Sequence, residues 1–236
     1  MAKGDVKLLG TWASPFALRV KIALKLKSVD YEYLEENLRG KSELLLKSNP
    51  VHKKIPVLLH GDRPVCESLI IVQYIDEVWT YGPSILPSDP YDRAIARFWA
   101  AYVEDKVYPS MRATLTAEGE EARAEVLTKF KEGLVLLESA FVKCSKGKRF
   151  FGGDQIGYVD IALGAFNGWF KVIEKAFNVK LFDEATTPNL LLWVDTFLAH
   201  PAINDIMPTT EKLLAFATSI AFPFPAIKAA AAARIS

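Results

Sequence analysis

A mixed α/β unit followed by an all-helical one is the fold class this sequence predicts. Over the first eighty or so residues, short apolar runs alternate with stretches of helical periodicity. Beyond about residue 91 the strand signals almost vanish and long helical patterns take over. Between them, Tyr81-Gly82-Pro83-Ser84 and Leu86-Pro87-Ser88-Asp89-Pro90 form a turn-rich linker. The division expected is therefore residues 1–82, a linker at 83–90, and residues 91–236.

In chain order, Val6 to Leu9 reads as a strand and Pro15 to Lys27 as a helix with Phe16, Val20 and Leu24 on one face. Tyr31 to Glu35 alternates as a strand does, and Ser42 to Lys47 reads as a short helix stopped by Asn49-Pro50. Val57 to His60 and Val65-Cys66 read as two strands joined through Gly61-Asp62, and Leu69 to Trp79 as a closing helix. The order βαβαββα is that of a thioredoxin-like domain. In the second unit, helical periodicity recurs at about Tyr91 to Thr114, Glu120 to Ser145, Tyr158 to Ala176, Pro188 to Ala199 and Thr209 to Ile220. Gly157 reads as a helix cap whose third residue, Asp160, reaches back to the Gly157 N–H, with Ile156 and Ile161 placed as a hydrophobic staple. Asp160 is thus a folding residue rather than a catalytic one.

Bulk composition excludes several function classes. Of 236 residues, 50% are hydrophobic and 24% charged, a globular profile with enough chain for a substantial core. With 29 basic and 28 acidic residues there is no field to recruit nucleic acid or anionic lipid. Cys66 and Cys144 are the only cysteines, which argues against a disulfide framework and against a thiolate metal site. Met1 to Asp5 lacks the apolar run of a secretory signal, no window suits a bilayer span, and the last residues are not a peroxisomal address. A reduced, cytosolic setting is expected, with no metal and no membrane.

Three segments carry chemistry. In Thr11-Trp12-Ala13-Ser14-Pro15-Phe16 a strand gives way to a helix, with serine as cap and proline at the first helical position. The serine hydroxyl and free backbone N–H groups then face one spot, which favours an anion. In Lys53-Lys54-Ile55-Pro56-Val57-Leu58-Leu59 a proline opens a short strand, a place where the preceding backbone is turned outward. In Val65-Cys66-Glu67-Ser68-Leu69-Ile70 a carboxylate and a hydroxyl precede a second helix N-terminus.

Together, Trp12-Ala13-Ser14-Pro15-Phe16, Lys54-Ile55-Pro56-Val57 and Glu67-Ser68, in that order and spacing, resemble the glutathione-binding half of a cytosolic glutathione S-transferase, most nearly of the plant tau class. The resemblance continues through Phe151-Gly152-Gly153-Asp154 and Gly157-Tyr158-Val159-Asp160-Ile161-Ala162-Leu163, and so covers nearly the whole chain. It implies an enzyme of detoxification and stress that adds the thiolate of glutathione, a co-substrate, to hydrophobic electrophiles, with peroxidase activity beside it. No permanently bound cofactor is implied. Ser14 is then the catalytic residue, a hydrogen-bond donor to the thiolate. The resemblance gives the Ile55 backbone, beside a cis Pro56, to the cysteinyl portion, Glu67 and Ser68 to the γ-glutamyl end, and Lys41 and Lys54 to the glycine carboxylate. Candidates for the electrophile site between the domains are Phe16, Tyr108, Met111, Arg112, Trp169 and Phe216.

Other readings stay open on the sequence. A thiol transferase or dehydroascorbate reductase shares the architecture but has a cysteine where this chain has Ser14, leaving Cys66 as the substitute. A ligandin-type carrier would hold hydrophobic metabolites without chemistry. A serine hydrolase lacks its Gly-x-Ser-x-Gly elbow, and His52, His60 and His200 read as loop or surface residues. The resemblance also implies a homodimer through the helices starting near Glu67 and Tyr91, with Arg93 and Arg97 as cross-subunit partners.

Overall fold

The computed structural model describes residues 5–219 and 224–232. Its first part is a four-stranded sheet in the order β2-β1-β3-β4, made of β1 (Val6–Gly10), β2 (Glu32–Glu35), β3 (Val57–His60) and β4 (Arg63–Cys66). Strand β1 runs parallel to β2 and antiparallel to β3, and β3 turns back into β4 at Gly61, whose φ of +59° suits a residue without a side chain. Helices α1 (Pro15–Leu26), α2 (Glu43–Ser48) and α3 (Ser68–Val78) complete the βαβαββα order expected. The Ile55–Pro56 peptide is cis.

Local caps start these helices where the sequence placed them. Ser14 Oγ accepts from the Ala17 N–H at 3.3 Å with Pro15 at the first position, and Ser42 Oγ accepts from Leu45 N–H at 3.0 Å. A buried ion pair then ties the sheet domain to the linker. Lys27 Nζ lies 2.7 Å from Asp76 Oδ1, and the same carboxylate accepts from the Ile85 and Leu86 N–H groups at 3.0 and 2.9 Å. The linker path is therefore held by the hydrogen bonds of one aspartate as well as by its prolines.

The second part is helical: α4 (Pro90–Tyr102), α5 (Tyr108–Thr116), α6 (Glu120–Ser145), α7 (Tyr158–Gly164), α8 (Asn167–Phe177), α9 (Pro188–Ala199), α10 (Thr210–Thr218) and α11 (Pro225–Ala232). Four sequence expectations change here. The helix expected over Tyr91 to Thr114 is interrupted by a π turn at Val103–Val107, where the Tyr108 N–H bonds to the Val103 carbonyl. The helix expected over Tyr158 to Ala176 is two helices, because the chain turns at Ala165 and Phe166. The break follows Gly164, where a Cβ would sit 2.3 Å from the Phe197 ring. Pro90 belongs to α4 rather than to the linker, with Asp89 accepting from the Tyr91 and Asp92 N–H groups. Pro225, beyond the last helix expected from the sequence, opens α11, whose Ala226 and Ile227 are buried. Ile220 and Pro223 lie outside the described residues.

Asp160 does what its position predicts, and more. Its Oδ2 accepts from the Gly157 and Gly152 N–H groups and its Oδ1 from Phe151 N–H, all at 2.9 Å, while Trp193 Nε1 donates to Oδ1 at 2.7 Å. Gly152 and Gly157 approach so closely that a Cβ on either would lie 2.7 Å from the other's backbone. Ile156 and Ile161 are buried on either side of the cap. Burial pushes the Asp160 carboxyl up to about 6 against the pull of its four donors, so the group is mostly ionised at neutral pH.

Replacing one acceptor oxygen by an amide turns N–H donors against N–H donors at a fully buried site. Asp160→Asn is expected to cost about 2 to 4 kcal/mol of stability, read as a lower urea midpoint at constant m-value.

Candidate functional site

A cleft of about 330 Å³ opens between the N-terminus of α1 and the helical wall formed by α5 and α8. Its floor is Ser14 with Thr11 and Ala13, and its rim on the sheet domain carries Lys41, Lys53, Lys54 and the backbone of Ile55. The opposite wall carries Tyr108, Met111, Arg112, Leu115, Trp169, Phe216 and Phe224, with Phe16 between the two sides. Among the described residues four cations and no acid line it, so the cleft favours anions at one edge and apolar groups at the other.

Aromatic packing sets the wall. Phe16 meets Tyr108 edge-on with ring centroids 4.9 Å apart, and Phe166 backs both rings at 5.7 and 5.8 Å. Trp169 donates from Nε1 to the Ala13 carbonyl at 3.0 Å, and Phe224 and Phe216 pack against its indole at 5.4 and 6.5 Å. The Trp169 bond crosses from the helical part to the loop before Ser14. It fixes the height of the wall above the hydroxyl.

Ser14 presents a donor. Its Oγ already accepts from the Ala17 N–H, so the hydroxyl hydrogen is not needed by the cap. No histidine lines the cleft among the described residues, and no base pairs with the serine there. His52 sits in a loop with Nε2 3.9 Å from Glu67 Oε1, His60 ends β3 and bonds Tyr74 Oη at 2.8 Å, and His200 Nδ1 accepts from Ala202 N–H at 3.1 Å. The chemistry on offer is stabilisation of an anion, not generation of an oxygen nucleophile.

Of the expected site residues, the structure gathers Ser14, Lys41, Lys54, Ile55, Phe16, Tyr108, Met111, Arg112, Trp169 and Phe216 around this one cleft. Glu67 and Ser68 stand at the N-terminus of α3, outside its lining. Glu67 adopts φ +70° as the residue before the helix, a conformation uncommon for a side-chain-bearing residue. Ser68 is buried, and Arg19 Nη1 donates to its Oγ at 3.2 Å. Thr11, Leu38, Lys53, Leu115 and Phe224 line the cleft without having been expected to. Leu115, four residues after Met111, was within reach of helical spacing, whereas Phe224 carried no local signal.

Arg19 is the principal residue missed. Its guanidinium is fully buried, donates to the Ala162 carbonyl through Nε and Nη2 at 3.0 and 2.6 Å, and pairs with Glu104. Phe16 and Phe166 lie against its faces at 5.2 and 4.9 Å. Burial pulls its pKa down while Glu104 opposes the fall. Arg93 and Arg97, expected to face a partner subunit, have acceptors within the chain: Pro87 and Ser88 carbonyls for Arg93, and Gln73 Oε1 for Arg97.

The chain joins a thioredoxin-like sheet, with a cis proline before β3, to a helical domain across an anion-favouring cleft, and each of the two parts matches a family model. Models of the glutathione S-transferase N-terminal and C-terminal domains match residues 4–77 and 91–201, and the chain belongs to this family. It is a transferase of the tau class. Glutathione S-transferase U17 of Arabidopsis thaliana is 59% identical over 95% of this chain and 99% of its own length. A tau class glutathione S-transferase from mango superposes with a TM-score of 0.88 at 62% identity, over 92% of this chain and 99% of that one. A rice glutathione S-transferase solved in complex with glutathione superposes at 0.84 and 37% identity, over 94% and 98%.

Cys66 does not reach the cleft; its thiol donates to the Ser48 carbonyl, and burial, with the Glu67 charge, pushes its pKa up. Burial also raises the Cys144 thiol. Both are expected to react with iodoacetamide more slowly than a free peptide thiol at pH 7.5, followed by mass spectrometry of the intact chain.

Proposed function

We propose that Ser14 donates its hydroxyl hydrogen to the sulfur of glutathione and holds it as a thiolate for attack on hydrophobic electrophiles. The observation that carries this reading is the Ser14 hydroxyl itself, already acceptor to Ala17 and therefore free to donate into an acid-free cleft. A model thiol ionises near 8.5, and lowering it by one and a half to two units requires roughly 2 to 3 kcal/mol. A hydrogen bond to a charged acceptor contributes about 1.5 to 3 kcal/mol and a helix N-terminus about 0.3 to 2. These two sources suffice.

The remaining roles follow the placement of charge. Lys41 and Lys54 take the glycine carboxylate, and the Ile55 backbone takes the cysteinyl portion. Glu67 takes the γ-glutamyl ammonium, while Ser68 and the α3 N-terminus take its carboxylate. Arg19 supports the last assignment, because its donation to Ser68 Oγ leaves the Ser68 hydrogen free to point outward. Phe16, Tyr108, Met111, Arg112, Trp169 and Phe216 form the electrophile side. The same thiolate would reduce organic hydroperoxides, two glutathiones going to the disulfide as the hydroperoxide becomes alcohol and water.

The working form is a cytosolic homodimer built on α3 and α4, with the domain division at residues 1–82 and 91–236. Ile70 on α3 and Tyr91 and Phe98 on α4 are large apolar side chains left exposed, and they support a face covered by a second copy. Among the described residues no helix is long and apolar enough to cross a membrane.

Ser14→Ala is expected to keep glutathione binding by calorimetry while kcat/KM toward a chloronitroarene falls about ten- to a hundredfold. Unchanged turnover would remove Ser14 from the reaction. Sedimentation at micromolar concentration is expected to give a dimer, and Phe98→Asp a monomer.

A further inference from the structure

Among the described residues, the electrophile side of the cleft holds one cation that no protein acid satisfies. Arg112 sits on α5 one helical turn beyond Tyr108, and its Nη1 meets Tyr108 Oη at 3.5 Å. No other side-chain partner of this guanidinium is present among the described residues, and no aspartate or glutamate lines the cleft. The three lysines on the opposite rim already exceed what one glycine carboxylate requires. Arg112 is on the aromatic wall with Met111 and Trp169, where an apolar substrate body would rest.

The Tyr108 ring is held between Phe16 and Phe166, so its hydroxyl has a defined position. Accepting from Arg112 leaves the phenol hydrogen free. The pair thus presents two kinds of donor, a guanidinium and a hydroxyl, at the edge of an apolar surface. A planar carboxylate matches that arrangement better than a neutral group does, because a guanidinium binds it through two parallel N–H bonds.

Resting on the transferase reading of this cleft, we propose that Arg112 and Tyr108 form a carboxylate-recognising fork, and that the electrophiles preferred here are amphipathic, an apolar reactive body bearing a carboxylate. The apolar part lies along Phe16, Met111 and Trp169 near the sulfur, and the carboxylate lies outward at the fork.

The matched probes are 4-chloro-3-nitrobenzoate and its methyl ester. In either, the thiolate sulfur forms a bond to the ring carbon and chloride leaves with the bonding pair. The readout is the ratio of kcat/KM for acid over ester, which cancels the active fraction of each preparation, and its change between variants cancels the intrinsic reactivity of the probes. Arg112→Leu is expected to lower that ratio about tenfold, equal to about 1.4 kcal/mol. Arg112→Lys should keep part of the preference, Tyr108→Phe should lose less than Arg112→Leu, and added salt should shrink the ratio of the unaltered enzyme. Arg112→Gln serves as a second variant if the leucine form is poorly folded. A ratio that stays within twofold in both the Leu and Gln variants overturns the proposal. So does a rise in the KM for glutathione with the ratio unmoved, which would assign Arg112 to the tripeptide. Absence of product from both probes with the unaltered enzyme would instead overturn the transferase reading on which the proposal stands.

Discussion

A positive charge with no exposed surface relies on partners supplied by the fold, and Arg19 is such a charge. It belongs to the first helix, yet its acceptors come from elsewhere: the Ala162 carbonyl on α7, Glu104 in the π turn, and Ser68 at the start of α3. Losing Glu104 would leave an unmatched charge and losing either neutral acceptor an unpaired buried donor, so the two domains cannot slide without breaking a strongly favoured set. Because α1 carries Ser14 at one end and Arg19 one turn in from it, locking Arg19 also locks the hydroxyl. The wall of the cleft hangs from the same joint, since α5 follows the π turn directly.

Two lesser connections act in the same direction. Trp169 reaches back to Ala13, and Tyr158 donates to the Leu69 carbonyl at 3.1 Å while accepting from Gln73. Lys27 and Asp76 fix the exit of the linker. Each joins an element of the sheet domain to the linker or to a helix of the other part through a polar group that is buried or partly buried, where the alternative is an unsatisfied donor or acceptor. The apolar core is continuous across the boundary, with Leu18, Ile71 and Ile75 in one cluster with Ile161, Phe166 and Phe170. Association of the halves is thus driven by apolar burial and its geometry is selected by a few hydrogen bonds.

What could be read in advance was local. Ser14 before Pro15 and Asp160 after Gly157 act over three or four residues, and both caps are formed, while Ser42, read as the first residue of a helix, caps it instead. What escaped was set by distant partners. Arg19 sits in an apolar helix where a snorkelling or surface role is the ordinary reading, and Glu104 lies eighty-five residues away. Glu138 lies within α6 and caps a different helix, accepting from the Asn189 and Leu190 N–H groups at the start of α9. The break between α7 and α8 was invisible because α7 is buried along its whole length, which erases the polar side that periodicity needs, while α8 alone keeps one at Lys171, Glu174 and Lys175. Helix α11 reads as a plain alanine-rich tail until α5 and α8 are there to receive Ile227. The cleft's chemistry was more legible than its walls for the same reason: motifs are short, and walls are assembled from the whole chain.

The π turn adds one residue to a helix that would otherwise keep a single register. Upstream of it, the side that meets the first domain carries Arg97, bonded to Gln73, and within it stands Glu104. Downstream, the side that lines the cleft carries Tyr108, Met111 and Arg112. An unbroken helix would tie those two sides to a common spacing, so that any change in one would rotate the other. The inserted residue uncouples them. Copies of such a chain are free to vary the cleft lining along α5 while keeping the Arg19 joint unchanged, a modularity written into a single irregular turn.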